Sequence, residues 1–233
     1  MIFVLVGAML VIVALLWWLL IRTEGVYLGQ RVVIGLYDLY ARRYDGIVQH
    51  DDIEEHLHLA QPLMMRLDPQ TTVRVLDVAT GTGRLPLALC QHARFEGQVI
   101  ALDASRGMLA QAQRKIAENH FDAYVDFVWG DGQALPYPNN HFDVVTCMEA
   151  LEFMPSPADA LRELVRVLRP SGLMLITRRI HEPLMPGRLW SKERMHDLLR
   201  DSGMSQITFE DWQYDYEKVW AVKEADNVPI KFR

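Results

Sequence analysis

The hydrophobic pattern divides the chain into a fully apolar beginning and a much longer region of short alternating segments. Residues 2–21, IFVLVGAMLVIVALLWWLLI, carry no charged or polar side chain. At about 1.5 Å per residue, a helix of this length spans roughly 30 Å, the thickness of a bilayer's hydrocarbon core. Such a helix satisfies its own backbone hydrogen bonds, as lipid requires, and Trp17 and Trp18 suit the interface at one end. The run therefore predicts a single transmembrane anchor over residues 1–22.

A cleaved signal peptide and a buried core helix are two other interpretations of this run. A signal peptide begins with basic residues and ends at small ones, whereas no Lys or Arg precedes this run and Trp-Trp-Leu-Leu-Ile-Arg closes it. A core helix is usually shorter and apolar on one face. Arg22, Arg31, Arg42 and Arg43 all follow the run. By the positive-inside rule they place the rest of the chain on the cytoplasmic side, so we expect a single-pass protein of the cytoplasmic membrane.

Residues 26–45, VYLGQRVVIGLYDLYARRYD, mix apolar and basic side chains, and residues 23–36 are predicted to form a juxtamembrane segment along the membrane surface. Beyond it, short apolar segments alternate with amphipathic ones, which predicts βαβ units and a parallel sheet in one domain over residues 37–233. The predicted strands of this alternation are 73–78, 98–103, 124–129, 142–147 and 172–177. The predicted helices are 52–67, 84–92, 105–119, 157–168 and 191–204, with Ser156 and Ser191 as N-caps of the last two.

The end of the chain breaks the alternation. Two strand-like segments, 206–213 and 217–224, follow one another with only a short turn between them. Strands without a helix between them must be antiparallel neighbours. The expected fold is therefore an α/β doubly wound, mostly parallel seven-stranded sheet with an antiparallel last strand, preceded by one transmembrane helix.

The amino-acid composition limits the kinds of partner and metal that the protein is expected to bind. The chain has 233 residues, enough for one α/β domain, and 24 basic against 30 acidic residues give a formal net charge of −6. This balance argues against a duplex nucleic-acid partner, because binding phosphates needs clustered Lys and Arg. Cys90 and Cys147 have no partners at metal-ligand spacing, so no metal site is predicted and both are interpreted as buried thiols.

The strongest local signal for chemistry is VLDVATGTGR, residues 75–84. An apolar strand ending at Asp77 runs into a loop with Gly81 and Gly83, and a helix follows. Glycines there let the backbone turn tightly and approach a ligand, as in Rossmann-type nucleotide sites. The dinucleotide fingerprint needs another glycine where Pro86 stands, so a nicotinamide cofactor is disfavoured but still open.

Two further aspartates follow predicted strands. Asp103 ends the second strand and can accept hydrogen bonds from the ribose hydroxyls of any adenosine cofactor. Asp131 follows the third strand and can accept the adenine amino proton, although Asp-Gly is also an ordinary turn pair. The alternative for Asp103 is a helix-capping or exposed residue.

Together these segments resemble the class I S-adenosylmethionine-dependent methyltransferases, and in particular the branch of the quinone-biosynthesis C-methyltransferases. The resemblance covers roughly residues 37–223. It includes the segments YDLYARRYD, VLDVATGTG, LDASRGML, GDGQALPYPNNHFDVV and LRELVRVLRPSGLMLI and the final strand pair, which nicotinamide-binding Rossmann domains lack. Ala79 stands at the commoner first glycine, a change also met in the quinone methyltransferases.

The resemblance implies S-adenosylmethionine as cofactor and assigns it residues. Gly81 and Gly83 would bound its methionine end in the loop that contains Ala79, and Asp77 would support its amino group. The remaining implied contacts are Asp103 to the ribose, Ala104 and Met108 flanking the adenine, Asp131 and Gly132 at the adenine edge, and Met148 near the sulfonium. Met108 and Met148 are equally compatible with plain core residues.

The reaction itself is less defined by the sequence. An enol or phenol acceptor needs a general base, for which Glu149, Glu152 and His181 are candidates because they follow strand ends; each also has a structural interpretation. An anchor concentrates the enzyme near membrane solutes, which favours a small lipophilic acceptor, quinone- or lipid-like, over a soluble or protein partner. The alternative from another class is a non-catalytic, membrane-tethered module that binds S-adenosylmethionine.

Overall fold

A computed structural model of the chain describes residues 1–48, 52–68, 72–181 and 185–225. Helices and strands alternate through its central part, as the hydrophobic pattern predicted. The helices are α1 Ile2–Trp17, α2 Gln30–Tyr40, α3 Tyr44–Val48, α4 Asp52–Glu55, α5 Gln61–Arg66, α6 Arg84–Gln91, α7 Arg106–Glu118, α8 Pro157–Val167 and α9 Lys192–Asp201. The strands are β1 Val73–Val78, β2 Gly97–Asp103, β3 Val125–Trp129, β4 Phe142–Cys147, β5 Leu168–Arg179, β6 Met204–Asp211 and β7 Tyr216–Lys223.

The strands form one seven-stranded sheet in the order β3-β2-β1-β4-β5-β7-β6. Pairs from β3 through β5 are parallel, while β7 is antiparallel to both β5 and β6. The order reverses between β1 and β4, so the carboxyl ends of those two strands border a crevice where ligands bind in such sheets. This arrangement confirms the predicted fold class, including the reversed last strand.

Side chains alternate between the two faces of the sheet and build two cores. Leu76 and Val145 belong to the core beneath α8 and α9, whereas their neighbours Val75 and Val144 belong to the core beneath α5, α6 and α7. All four are fully buried. A strand covered on both faces has little room for polar side chains except at its ends, which is where the candidate site residues lie.

Short polar side chains begin three of the helices. Ser105, Ser156 and Ser191 accept hydrogen bonds from the backbone N–H groups of Met108, Asp159 and Arg194, respectively. These caps satisfy N–H groups that have no partner within the helix. The two caps predicted from sequence, Ser156 and Ser191, are confirmed, and Ser105 adds a third at the start of α7.

Several predicted boundaries are wrong by a few residues. The strand expected over 172–177 begins at Leu168, which pairs with Phe142 before a register shift. Pro170-Ser-Gly resembles a turn in sequence, but here it forms an irregularity within β5. The helix expected over 52–67 also contains a π-helical turn, His56–Ala60, between α4 and α5.

The N-terminal apolar run forms α1 and continues as a π-helical turn, Trp18–Arg22. Together they make a helix of 21 residues with a mean hydropathy of 2.9 and no buried residue, which is long and apolar enough to cross a membrane by length and composition. A signal sequence and a core helix satisfy the same criteria, although a core helix would be mostly buried. The anchor therefore stays a prediction.

The segment after α1 packs against the α/β domain. Val26 and Val33 are buried with Phe153 and Met185 in a small cluster. The Arg188 guanidinium donates to the carbonyl oxygens of Met154 and Val26, at 3.0 and 3.1 Å. The boundary predicted at residue 37 thus falls inside α2, and residues 26–36 form part of the domain's packed surface.

Candidate active site

A cleft with an empty volume of about 1020 Å³, including its open mouth, lies at the carboxyl ends of β1, β2 and β4. The loops after these strands and the N-terminal helices form its walls. The predicted cofactor residues that line it are Asp77, Ala79, Gly81, Asp103, Ala104, Met108, Asp131, Gly132 and Met148. Gly83 is the predicted residue that lies outside this lining.

The loop between β1 and α6 has an unusual backbone. Ala79, Gly81 and Gly83 all have positive φ, at 57°, 56° and 77°. A Cβ atom on Gly83 would lie 2.9 Å from the Cβ of Ala112 on α7, so this glycine permits close helix packing. A Cβ on Gly81 would meet no atom within 4 Å, and the open space beside it is the cleft. The loop therefore presents its backbone to a ligand at Gly81.

Asp77 is buried at the end of β1. Its two carboxylate oxygens accept hydrogen bonds from the hydroxyls of Thr80 and Thr146, each at 2.6 Å. Burial raises the pKa of Asp77 to about 6, although the two threonine bonds lower it. Each carboxylate oxygen has a second acceptor site, so this arrangement fits support of a cationic amino group from the cleft.

Asp103 ends β2 and faces the same loop. Its Oδ2 atom accepts from the Gly81 N–H and its Oδ1 from the Ser105 N–H, both at 2.8 Å. Burial raises the pKa of Asp103, partly offset by these backbone bonds. The carboxylate is thus held rigidly in the cleft wall with lone pairs remaining for hydroxyl donors.

The loop after β3 forms another wall of the cleft. Asp131 accepts bonds from the backbone and side-chain nitrogens of Gln133, at 3.0 and 3.3 Å. A Cβ on Gly132 would lie 2.8 Å from Val78 Cγ1 and 3.1 Å from Met154 Cε, so the backbone passes close to β1. Both the turn and the site interpretations of Asp131-Gly132 are compatible with this geometry.

Met108 and Met148 are compatible with both interpretations that the sequence left open. Each is less than a tenth exposed, and each also lines the cleft. Met108 lies in the first turn of α7, which begins at Arg106, while Met148 directly follows β4. They form apolar patches at opposite loops of the cleft.

The cleft has an aromatic wall that sequence reasoning did not identify. Tyr37, Tyr44 and Phe153 line it, with the two tyrosine rings 6.0 Å apart and the Phe153 ring 6.4 Å from Tyr37. Val33 and Ile34 of α2 extend this wall with aliphatic side chains. The available signal was the repeated Tyr-Asp pair in YDLYARRYD, residues 37–45. Whether the two tyrosines of this segment line the cleft depends on how the N-terminal helices fold over the sheet.

Of the three base candidates, Glu149 lines the cleft. Its backbone has φ of 51°, its N–H donates to the Thr177 hydroxyl at 2.6 Å, and its Oε1 accepts from Arg84 at 2.5 Å. Arg84 also lies 3.3 Å from Glu55, and the two carboxylates raise its pKa against the effect of burial. Arg84 thereby holds the Glu149 side chain beside the aromatic wall.

The other two candidates lie elsewhere. Glu152 is buried beside Tyr216, whose hydroxyl donates to it, and burial raises the pKa of Glu152 to about 7. It borders a smaller cavity beneath Arg178 and Trp190. His181 is exposed, with its Nδ1 atom 2.9 Å from the Tyr214 carbonyl oxygen. The structure thus places Glu149 on the cleft wall, and Glu152 and His181 outside its lining.

Comparisons with known proteins agree with this fold and cleft. A family model described as a methyltransferase domain matches residues 76–176. Demethylmenaquinone methyltransferase of Lactiplantibacillus plantarum is 34% identical over 157 residues, which are 66% of this chain and 65% of that protein. The ubiquinone/menaquinone biosynthesis C-methyltransferase UbiE of Azotobacter vinelandii is 38% identical over 103 residues, 44% of this chain and 41% of that protein. The chain thus spans less than two thirds of these curated relatives.

Solved structures share the architecture. A SAM-dependent methyltransferase from Aquifex aeolicus aligns with a TM-score of 0.62 at 21% identity, covering 79% of this chain and 97% of that one. The cyclase SpnF aligns with a TM-score of 0.69 at 22% identity, covering 83% and 95%. Likeness at this level of identity shows the fold alone, and the cyclase illustrates that the fold hosts more than one chemistry.

Fold, cleft and family match together define a class I S-adenosylmethionine-dependent methyltransferase domain. Within that class, the chain is similar to demethylmenaquinone and ubiquinone/menaquinone biosynthesis C-methyltransferases over part of its length. The predicted family and cofactor are confirmed. The residues present also fit that cofactor, because open space beside Gly81 adjoins two buried carboxylates, Asp77 and Asp103. Which residues contact it stays a prediction.

Proposed function

We propose that this protein is a membrane-anchored methyltransferase that transfers the methyl group of S-adenosylmethionine to a small lipophilic acceptor, quinone- or lipid-like. One observation carries the proposal. The helix that follows the apolar α1, α2, supplies Val33, Ile34 and Tyr37 to the cleft wall. The segment that connects to the proposed anchor is therefore also the segment that meets the acceptor.

The character of the cleft supports a flat, weakly polar acceptor. Tyr37, Tyr44 and Phe153 offer aromatic surfaces, which favour offset or edge-on ring contacts. The buried carboxylates of Asp77 and Asp103 line the cleft at the strand ends. The names of the relatives, demethylmenaquinone methyltransferase and ubiquinone/menaquinone C-methyltransferase, point to the same acceptor chemistry.

S-adenosylmethionine, when bound, supplies a methyl group that its sulfonium already activates. The protein's own residues then have to align the acceptor and exclude water. In our proposal the aromatic wall does both, and Asp77, Asp103 and Gly81 hold the cofactor. Glu149 lies at the same wall and is the proposed proton acceptor, where an enol or phenol requires one.

The proposed location is the cytoplasmic membrane, crossed once, with the catalytic domain on the cytoplasmic side. The basic residues Arg22, Arg31, Arg42 and Arg43 support this orientation. The net charge of −6 supports a small-molecule acceptor over a nucleic acid. We propose residues 1–22 as the anchor, 23–36 as the juxtamembrane segment, of which Val26 and Val33 pack on the domain, and 37–233 as the domain.

The test uses the full chain reconstituted in lipid nanodiscs. Calorimetric titration with S-adenosylhomocysteine and with NADH should show binding of the adenosyl ligand alone, and Asp103→Ala should abolish that binding. Asp201→Ala, an exposed carboxylate on α9, is the matched control and should bind as wild type does.

Turnover is tested with methyl-labelled S-adenosylmethionine and a lipid extract of bacterial membranes. We expect label in the organic phase with wild-type protein and none with Asp103→Ala. Label in the aqueous or protein fraction instead would overturn the lipophilic acceptor. Binding without any transfer to lipid, soluble or protein fractions would favour the non-catalytic, membrane-tethered module.

A further inference from the structure

Hydrogen bonds join the N-terminal helices to the loop that follows β2. The Asp38 Oδ1 atom accepts from the Ser105 hydroxyl at 2.6 Å and from the Gly107 N–H at 2.8 Å. The Ser105 N–H in turn donates to Oδ1 of Asp103 at 2.8 Å. Asp38, on α2, is therefore one hydrogen-bonded residue away from the carboxylate that is predicted to bind the ribose.

A second set of bonds joins the same helices to the glycine-rich loop. Oδ2 of Asp103 accepts from the Gly81 N–H at 2.8 Å. The next residue, Thr82, donates its hydroxyl to Oδ1 of Asp45 at 2.5 Å, and Lys115 Nζ lies 2.6 Å from Oδ2 of Asp45. Asp45 is on α3. The two sets of bonds meet at Asp103, and the chain segment between Asp38 and Asp45 joins their other ends, so that together they form a closed ring.

A tyrosine of the aromatic wall precedes each of these aspartates. Tyr37 precedes Asp38 and Tyr44 precedes Asp45, and both tyrosines line the cleft. The Tyr37 hydroxyl also donates to Glu24 Oε2 at 2.6 Å. Since each tyrosine shares a short helical segment with its aspartate, a shift of either aspartate moves the aromatic wall.

We infer that Asp38 and Asp45 are positioning residues that fasten the tyrosine wall to the two cofactor loops. The inference rests on the proposed function, because it takes Asp103 and the Gly81 loop as the cofactor site. A ligand that restrains those loops then restrains α2 and α3 through the ring. Coupling between two sites is reciprocal, so the bound cofactor favours the acceptor-binding shape of the wall, and a bound acceptor strengthens cofactor binding by the same factor.

Hydrogen exchange of the full chain in detergent micelles, with and without S-adenosylhomocysteine, tests this inference. In wild type, the ligand should slow exchange in the loop 77–84 and also in α2 and α3. The second effect should be roughly tenfold, as expected when a charge-assisted hydrogen bond couples two segments. In Asp38→Ala and Asp45→Ala the loop should stay protected, whereas protection of α2 and α3 should largely disappear.

The bonds of Asp38 and Asp45 to the two cofactor loops are called the latch below. Two further variants distinguish loss of the latch from general destabilisation of the protein. Thr82→Val removes the hydroxyl on the opposite side of the bond and should reproduce Asp45→Ala. Asp45→Asn keeps an oxygen for the Thr82 hydroxyl and should restore much of the coupling. Asp201→Ala, on the exposed side of α9, is the matched control and should behave as wild type.

The outcomes distinguish the latch from the proposed function. Ligand protection of α2 and α3 that survives in both Asp45→Ala and Thr82→Val overturns the latch and leaves the methyltransferase proposal intact. Protection of neither segment in wild type overturns the proposed cofactor site, and the latch with it. If Asp45→Ala unfolds, as loss of protection in β4 would show, Thr82→Val decides the matter.

Discussion

At the scale of single residues, two glycines of the β1–α6 loop have positive φ for different reasons. Gly83 allows α7 to pack against the loop at Ala112, whereas Gly81 opens onto the cleft. The sequence motif presents both as ligand-loop glycines. The atoms that surround each glycine in the folded structure show that Gly83 has a packing role, whereas Gly81 is free to face a ligand.

Alanine substitutions at these glycines should therefore have different effects. Gly83→Ala introduces a Cβ 2.9 Å from the Ala112 Cβ at a φ of 77°, and should lower the free energy of unfolding by about 1–3 kcal/mol. Gly81→Ala should cost about 1 kcal/mol from backbone strain, yet weaken S-adenosylhomocysteine binding by roughly tenfold or more, since the methyl group enters the cleft. Urea denaturation and calorimetry measure the two effects, and equal losses of stability would contradict this distinction.

Glu152 should give the protein a measurable pH dependence of stability. Burial raises the pKa of Glu152 to about 7, from a usual value of 4.5. The folded state therefore holds this proton more tightly, and the associated stability is fully present below about pH 4.5 and is lost as the pH rises through 7. Glu152→Gln stays neutral, so its stability should fall less between pH 4.5 and 8, by on the order of 1–3 kcal/mol. Urea denaturation across this range checks it; parallel curves would refute it.

At the scale of elements, the reversed strand β7 ties the sheet to the helix that contains the π-helical turn. Lys218 of β7 is only 1% exposed. Its Nζ atom donates to the His58 carbonyl oxygen at 3.0 Å and lies 2.8 Å from Glu210 Oε1. A buried ammonium needs such partners, so the reversed strand and the π-helical turn stabilise each other.

Lys218→Met should loosen that helix selectively. The substitution leaves the His58 carbonyl without its Lys218 bond and should cost about 1–3 kcal/mol. Amide exchange over residues 56–66 should accelerate. Lys223→Met is the matched control, because Lys223 of the same strand donates instead to the carbonyl oxygens of Val165 and Leu168. If both variants accelerate exchange over 56–66 equally, the link to Lys218 is wrong.

At the scale of the whole molecule, the apolar helix and the cleft are joined by a segment that packs against both. Trp18 stacks on Tyr27 at 5.2 Å, and the Tyr27 hydroxyl donates to the Pro186 carbonyl oxygen at 2.7 Å. Since α1 buries none of its residues in the protein, it contributes no packing to the core. The proposed membrane anchor would account for that apolar surface.

Charges introduced into α1 should release the protein from membranes. Leu10→Arg with Ala14→Arg should disfavour insertion by roughly 2.5–3.5 kcal/mol for each arginine near the helix centre. We expect the variant in the soluble fraction after carbonate extraction, with S-adenosylhomocysteine binding retained. Leu39→Arg, at an exposed position on α2, should leave the protein in the membrane fraction. Continued membrane association of the double variant would show that α1 is not the anchor.

Local and periodic features made much of this fold predictable. The alternation of segments identified every strand of the sheet within a few residues, except that β5 begins earlier than the turn-like Pro170-Ser-Gly indicated. Serine caps and the glycine-rich loop were readable because their partners lie within a few residues in sequence. The reversed last strand was predictable because no helix separates it from β6.

The sequence by itself therefore determined the family, the order of strands and helices, and the loops that were predicted to bind the cofactor. The tertiary structure alone decided which of Glu149, Glu152 and His181 faces the cleft, and that Tyr37 and Tyr44 form its aromatic wall. It also decided that Asp38 bonds to the loop after β2 and Asp45 to the loop after β1. The physical reason is distance along the chain: these contacts join residues far apart in sequence, and no local periodicity or propensity encodes which of them meet.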